Sequence, residues 1–179
     1  MGHLAEHLID ALQPVLGRVL EGLCLRAFDC DVQSESDLAV DGLYIGGELR
    51  LDFTGRSLFV SWVQGLYTAR DPSAIVEEDC SIAARATSFF PPVAELVEWD
   101  LAHIEPWNVL IGGRLESAKV LGLARFPNII GLKVGGKHLL LANSSEWQLG
   151  LGTDLLIAVR PGLTPHSANK LWADGTAAT

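Results

Sequence analysis

The sequence predicts a mixed, β-dominated α+β fold, in which two similar helix-plus-β-meander halves pack as a sandwich or partly open barrel. Two hairpin signatures and one shared order of elements carry that prediction. In the first hairpin, Glu48 to Trp62 (ELRLDFTGRSLFVSW), Leu49, Leu51 and Phe53 alternate with Glu48, Arg50 and Asp52. Thr54-Gly55 then turns the chain, and Leu58, Val60 and Trp62 resume the alternation. Period-two hydrophobicity on both sides of a glycine-containing break marks a hairpin with one buried and one wet face. A second hairpin of the same design runs from Asn128 to Asn143 (NIIGLKVGGKHLLLAN). Superposing Gly55 on Gly136 lays Leu49, Leu51 and Phe53 over Ile130, Leu132 and Val134.

The remaining elements follow from pattern and punctuation. His3 to Leu12 reads as a short helix, with Leu4, Leu8, Ala11 and Leu12 at helical spacing, Glu6 and Asp10 opposite, and Pro14 as its stop. Leu16-Gly17 leads into RVLEGLCLRAF, a strand in which Gly22 marks a bulge. The polar stretch DCDVQSESDLAVDG reads as a loop or irregular excursion. After Trp62 the pattern lapses through QGLYTARDP, and SAIVEEDCSIAARA fits a last strand or a short helix. Ser88-Phe-Phe-Pro-Pro is the clearest break. VAELVEWDLAHI after it predicts a second helix, with Val93, Leu96, Val97, Leu101 and Ile104 as one apolar stripe and Pro106 as its end. Ile111-Gly112-Gly113 opens RLESAKVLGLA, a strand candidate, and Pro127 precedes the second hairpin. Glu146 to Gly152 is a loop and DLLIAVRPG a buried strand; the tail from Leu163 is loose beyond Trp172.

Set side by side, the halves share a helix, a proline, an apolar-Gly step, a strand, a hairpin and a final strand. The offset is 95 residues at Leu16/Ile111 and 81 at Gly55/Gly136, so the first half carries fourteen extra residues, which coincide with the acidic excursion. A repeat near 90 residues exceeds a solenoid unit, and two halves sharing one core is the simpler arrangement. The expected organisation is one domain over 1–179, with halves of about 1–88 and 92–163 and a tail over 164–179.

Composition bounds the function. A chain that is 49% hydrophobic with a mean hydropathy of +0.27 is not disordered, and no apolar run approaches the roughly 20 residues of a membrane helix. The acid-bearing N-terminus lacks the basic and apolar blocks of a secretion signal, so a soluble, cytoplasmic protein of bacterial type is expected. Cys24, Cys30 and Cys80 are odd in number and lack CxxC spacing, which argues against a disulfide framework or structural zinc. The net charge is −9. Residues 1–90 hold fourteen acidic side chains against six basic ones, all Arg, whereas residues 91–179 hold eight against seven. An acidic first half disfavours nucleic acid and suits a basic partner.

No catalytic motif is visible. The excursion carries Asp29, Asp31, Glu35, Asp37 and Asp41 without a Lys or Arg, which suits contact with a basic protein. Its Asp-x-Asp lacks the glycine and closing glutamate of an EF-hand. Glu77-Glu78-Asp79-Cys80 reads as a solvated turn, and acids beside Cys80 disfavour its thiolate. His3 and His7 lack a third metal ligand, His103, His138 and His166 lack a recognisable nucleophile, and the glycine pairs lack phosphate-loop context. No cofactor or metal is called for. Among the tryptophans, Trp147 and Trp172 are placed to act as exposed anchors, Trp147 in a loop.

The Leu16-Gly17 and Ile111-Gly112 steps and the two hairpins, GELRLDFTGRSLFVSW foremost, resemble the pattern of small acidic bacterial toxin-immunity-type proteins. That resemblance implies a non-enzymatic protein that neutralises a toxin, and it carries over no functional residue. The expectation is therefore a non-catalytic protein-binding protein whose acidic excursion occludes the basic site of a partner such as a toxin. Asp29, Asp31, Glu35, Asp37, Asp41 and Trp147 are its contact residues, with neither nucleic acid nor membrane as partner. The alternative is a small-molecule-binding or enzymatic domain, with a pocket between the halves lined by His103 or His138 and tryptophans.

Overall fold

The computed structural model describes residues 3–28, 32–39, 43–64, 80–92, 94–123, 126–143, 155–159 and 176–177. They form two antiparallel sheets packed as a sandwich, not a closed barrel. The first sheet has the order β5-β4-β3-β1-β6, with β1 Leu20–Phe28, β3 Glu48–Phe53, β4 Arg56–Gln64, β5 Cys80–Arg85 and β6 Leu96–Asp100. The second has the order β11-β7-β8-β9-β10-β2. Its strands are β2 Leu43–Ile45, β7 Leu115–Leu123, β8 Phe126–Val134, β9 Lys137–Asn143, β10 Leu155–Ala158 and β11 Thr176–Ala177. Helix α1 (His3–Leu12) places Leu8 and Leu12 in the same core that Leu25, Leu49, Leu51, Val60, Leu132 and Leu141 fill from the sheets.

Each meander follows the local chemistry. In the first hairpin Phe53 pairs with Arg56 across Thr54-Gly55, and Leu49, Leu51, Phe53, Leu58 and Val60 are buried. In the second, Val134 pairs with Lys137 across Gly135-Gly136, and Ile130, Leu132, Val134, Leu139 and Leu141 are buried. The two faces depart from simple alternation. Ile129, Leu140 and Ala142, on the opposite face of the second hairpin, are also buried, and so is Glu48 on the polar face of the first.

The two halves meet through hydrogen bonds that exchange partners. Gly17 N–H donates to the Leu115 carbonyl and Gly112 N–H to that of Leu20; Leu20 N–H donates to Gly113 and Leu115 N–H to Arg18, all at 2.8 Å. Adding 95 to the first-half residue of one bond and subtracting 95 from its second-half residue gives the other bond, and Val19 bridges Arg114 between them. Thr54 N–H bonds the Val19 carbonyl and Gly135 N–H that of Arg114, both at 2.9 Å, which reproduces the offset of 81 beyond the excursion. Both first strands are bulged at the same place: pairing shifts between Leu20 and Gly22 in β1, and between Leu115 and Ser117 in β7. The bulge carboxylates reach the hairpin tips, Glu21 accepting from the Thr54 hydroxyl at 3.0 Å and Glu116 from Gly136 N–H at 2.7 Å.

Three expectations need correction. Residues 96–100 form the strand β6, not a helix. Val97 and Leu101, which belong to the helical stripe, also fit period two together with Trp99, and β1 offers them an edge, with Phe28 opposite Leu96 and Cys24 opposite Asp100. The second half thus opens with a strand and a 3₁₀ turn (Trp107–Leu110) where the first has α1 and a 3₁₀ turn (Gln13–Val15). The excursion is not irregular throughout: it contains α2 (Glu35–Leu38), and directly after it β2 crosses to the second sheet and pairs with β10. Beyond Trp172, Thr176–Ala177 pairs with β7. Residues 65–79, 144–154 and 160–175, including the expected loop at Glu146–Gly152 and Trp172, lie outside the described residues.

Gly17 and Gly112 adopt φ of +75° and +80°, and a Cβ at either would meet nothing within 4 Å. Alanine at these sites therefore suffers backbone strain without a clash. We expect Gly17→Ala and Gly112→Ala each to lower stability by about 1–2 kcal/mol in urea unfolding. D-alanine, introduced by semisynthesis, should be tolerated at both. A silent L-alanine at one site would break the equivalence of the two steps.

Candidate functional site

On the outer face of the first sheet, β6, β1 and β3 set polar and charged side chains in rows. One row runs Asp100, Cys24, Arg50 and the next Glu98, Arg26, Glu48, each opposite its neighbour across the strands. Opposed charges at this separation attract, and the alternation of sign stabilises the row. The second row ends inside the protein. Glu48 is fully buried, paired with the Arg26 guanidinium, and its oxygens accept from the Ser88 hydroxyl at 2.6 Å and Phe89 N–H at 2.7 Å. Arg26 also donates to the Ser88 hydroxyl at 2.7 Å, and its Nε lies 3.0 Å from Glu98. This network fastens the Ser88-Phe-Phe-Pro-Pro segment to the sheet. Phe90 meets Phe28 edge-on at 5.7 Å, and Arg85 lies 4.2 Å over the Phe89 ring.

Beside this network opens a groove of about 770 Å³. Glu21, Asp52, Glu98 and Asp100 line it against a single Arg50, with Cys24, His103 and Asn108 in its walls. Asp52 is held by Arg50 at 3.0 Å and by the Ser57 hydroxyl at 2.6 Å. Gly22 leaves room for it, since a Cβ there would lie 3.3 Å from the carboxylate. Asp100 accepts from Ala102 N–H at 2.9 Å, and exposed His103 stands 3.7 Å from its other oxygen. The Asn108 side-chain amide oxygen is buried without a hydrogen-bond partner among the described residues. Residues 21–24, 50 and 52 of the first chain half and residues within 98–111 of the second line the groove, so both halves form it.

The chemistry of the groove favours holding a cation over nucleophilic attack. Burial pushes the Cys24 thiol up to about 11; Arg50 opposes that shift, and Glu98, Asp52 and Asp100 add to it. At neutral pH Cys24 is a thiol, and the thiolate is the nucleophile. His103, with 87% of its side chain exposed, lies outside the buried network. His138 sits on the second hairpin, half-buried, with its pKa lowered by burial and by Lys133. Among the described residues no group of three or more His, Cys, Asp or Glu is placed to hold a metal ion, and no helix is long and apolar enough to cross a membrane.

Of the contact residues expected from sequence, Glu35 is exposed in the first turn of α2. Asp37 is exposed but already engaged: its Oδ2 accepts from Gln33 N–H, Ser34 N–H and the Ser34 hydroxyl, which closes a capping box. Those bonds, Gln33 first, hold its carboxyl below the ordinary value of 3.8. The cap is therefore complete at neutral pH and is lost only as pH falls through that lowered value. Asp29, Asp31, Asp41 and Trp147 lie outside the described residues. Buried Trp107 donates its indole N–H to the Leu38 carbonyl at 2.6 Å and so fastens α2 to the turn that carries Asn108.

The groove residues were missed for an identifiable reason. On a helix, Glu98 and Asp100 would point to well-separated faces; on a strand, residues two apart share a face. Reading Leu96 to Asp100 with period two is the signal that places them together.

Two measurements check this geometry. Removing one partner of a buried ion pair strands the other, so Glu48→Ala should destabilise the fold by about 3–5 kcal/mol. Arg26→Met with Glu48→Leu should recover most of the loss, and urea unfolding of the set gives the coupling. With Cys30 and Cys80 replaced by Ser, alkylation of Cys24 should be slow at pH 7 and rise with a midpoint near 11. Alkylation at the rate of a free thiol at pH 7 would refute the protonated assignment.

Comparison of the chain with family models, with curated proteins and with solved structures finds no match.

Proposed function

We propose that the chain is a non-catalytic binding protein that holds a basic partner against the acidic face of its first sheet. The observation that carries this reading is the groove, in which four carboxylates face one arginine. Like charges held together by a rigid sheet raise the local potential, and a cationic partner relieves it while being steered from a distance. The excursion adds to the same field: exposed Glu35 and Asp37 stand on α2, which Trp107 fastens to the groove turn. Neutralisation of a toxin by occlusion of its basic site, in the manner of the immunity-type proteins whose pattern the hairpins resemble, is the most specific form of this role.

One observation favours a second reading. The groove volume falls within the roughly 300–1,000 Å³ of small-molecule sites, and both chain halves line it. Its lining is acidic, includes His103 and, among the described residues, contains no tryptophan. That composition suits a cationic ligand better than the apolar cleft a small-molecule enzyme would need.

The test is retention of host proteins on the immobilised full chain at rising ionic strength, compared with a Glu21→Gln, Glu98→Gln, Asp100→Asn variant. The expected result is a basic protein held by the native chain, released by salt with a slope that the variant flattens. A second variant, with Asp29, Asp31 and Asp37 replaced by Asn, measures the share of the excursion. Retention that is insensitive to both salt and the groove substitutions would sink the proposal. Recovery of a small cationic metabolite with the purified chain would favour the second reading.

A further inference from the structure

The acidic groove ends at a sheet edge, and that edge has unused bonding capacity. β6 is a terminal strand of its sheet. Leu101 N–H bonds the Leu23 carbonyl at 2.8 Å, so the backbone groups of Trp99 and Val97, which alternate with it, also face β1. Those of Glu98 and Asp100 face away from the sheet. Among the described residues no turn or loop hydrogen bond engages either N–H.

We propose that this edge accepts an extended basic segment of a partner protein by strand addition, with basic and apolar side chains alternating along the segment. The inference rests on the basic-partner reading above and specifies how that partner is held. An added strand sets residues two apart opposite Glu98 and Asp100, about 4.5–5.5 Å away between Cβ atoms, which is ion-pair range for Lys or Arg. The residue between them falls on the face of Val97 and Trp99, both half-buried, where the buried Trp99 indole N–H has no partner among the described residues. At the other end of β6, Leu96 lies opposite Phe28, which is 40% exposed and whose ring packs on Phe90, so that end offers an apolar contact. A second copy of this chain is a poor occupant. Antiparallel β6–β6 pairing would bring Glu98 and Asp100 against their own counterparts, and directly opposed like charges destabilise a sheet.

The full chain, labelled for amide detection, is titrated with an end-blocked alternating Lys–Val peptide and with a peptide of the same composition whose lysines are clustered. The alternating peptide should slow hydrogen exchange at the Glu98 and Asp100 amides at least about tenfold. It should also bind about tenfold more tightly than the clustered one. Glu98→Pro removes an outward N–H at an edge position that tolerates proline. It should weaken binding about tenfold relative to Glu98→Ala. If that variant unfolds, the two peptides on the native chain still decide. Equal binding of both peptides without amide protection overturns strand addition and leaves the acidic-groove reading standing. Failure of both peptides to bind overturns the two together. Concentration-dependent self-association in sedimentation that Glu98→Pro abolishes would show a second copy, not a basic partner, at the edge.

Discussion

Everything in this fold is registered from the exchange of backbone bonds between the two first strands and the glycine steps before them. Gly17 reaches to Leu115 and Gly112 reaches to Leu20, with Val19 and Arg114 bridged between them. A single such bond contributes only about 1 kcal/mol net, but leaving its groups buried and unmatched would cost more. The effect is therefore to specify register. Once Leu20 and Leu115 are fixed, the bulges at Glu21 and Glu116 follow, their carboxylates reach the hairpin tips, and the hairpins are set over a common core. Only a residue at ease with positive φ can present its N–H across the corner at this angle, which is why both steps are glycine.

The departures from symmetry do the opposite work and interlock the halves. β2, directly after the excursion in the first half, completes the edge of the second sheet beside β10. β6, from the second half, completes the edge of the first beside β1. Each sheet thus depends on a strand from the other end of the chain, and neither half can bury its own meander edge alone. Long-range pairing of this kind slows folding relative to local hairpins and ties the sheets into one cooperative unit.

How much was legible in the sequence follows from which signals were local. The hairpins were, because alternation around Thr54-Gly55 and Gly135-Gly136 is decided within a few residues. So was the Gly22 bulge, where the pairing of β1 shifts. The repeat was legible through two offsets, 95 and 81, both of which recur in the hydrogen bonds. Leu96 to Asp100 was not, because its apolar positions fit two periods and only the vacant edge of β1, a tertiary fact, chooses between them. The same ambiguity hid the groove, since Glu98 and Asp100 become neighbours only on a strand. Burial of Glu48 was hidden too: its carboxylate looks like one more wet-face residue until Arg26 and Ser88 close over it. Asp37 shows the reverse case, an acid whose place in an acidic run drew attention from its bonds to Gln33 and Ser34.

The charges of the first sheet divide by depth, and the division explains why a rigid scaffold would carry a repulsive rim. Arg26 and Glu48 neutralise each other inside the protein, where an uncompensated charge would be prohibitive, and they fix the geometry of the row. Outward along the same rows compensation thins: Glu98 shares Arg26, Asp52 takes Arg50, and Asp100 has His103 beside it. Near the surface each such pair is weak and screened, so relaxing the rim by substitution would affect stability little. A partner that covers the groove removes that screening and strengthens every remaining attraction to a cation at once. The buried pair therefore holds the sheet still, while the exposed carboxylates keep their capacity for an incoming charge. Rigidity beneath an unsatisfied rim is the arrangement by which the proposed binding would be selective for charge without making the free protein fragile.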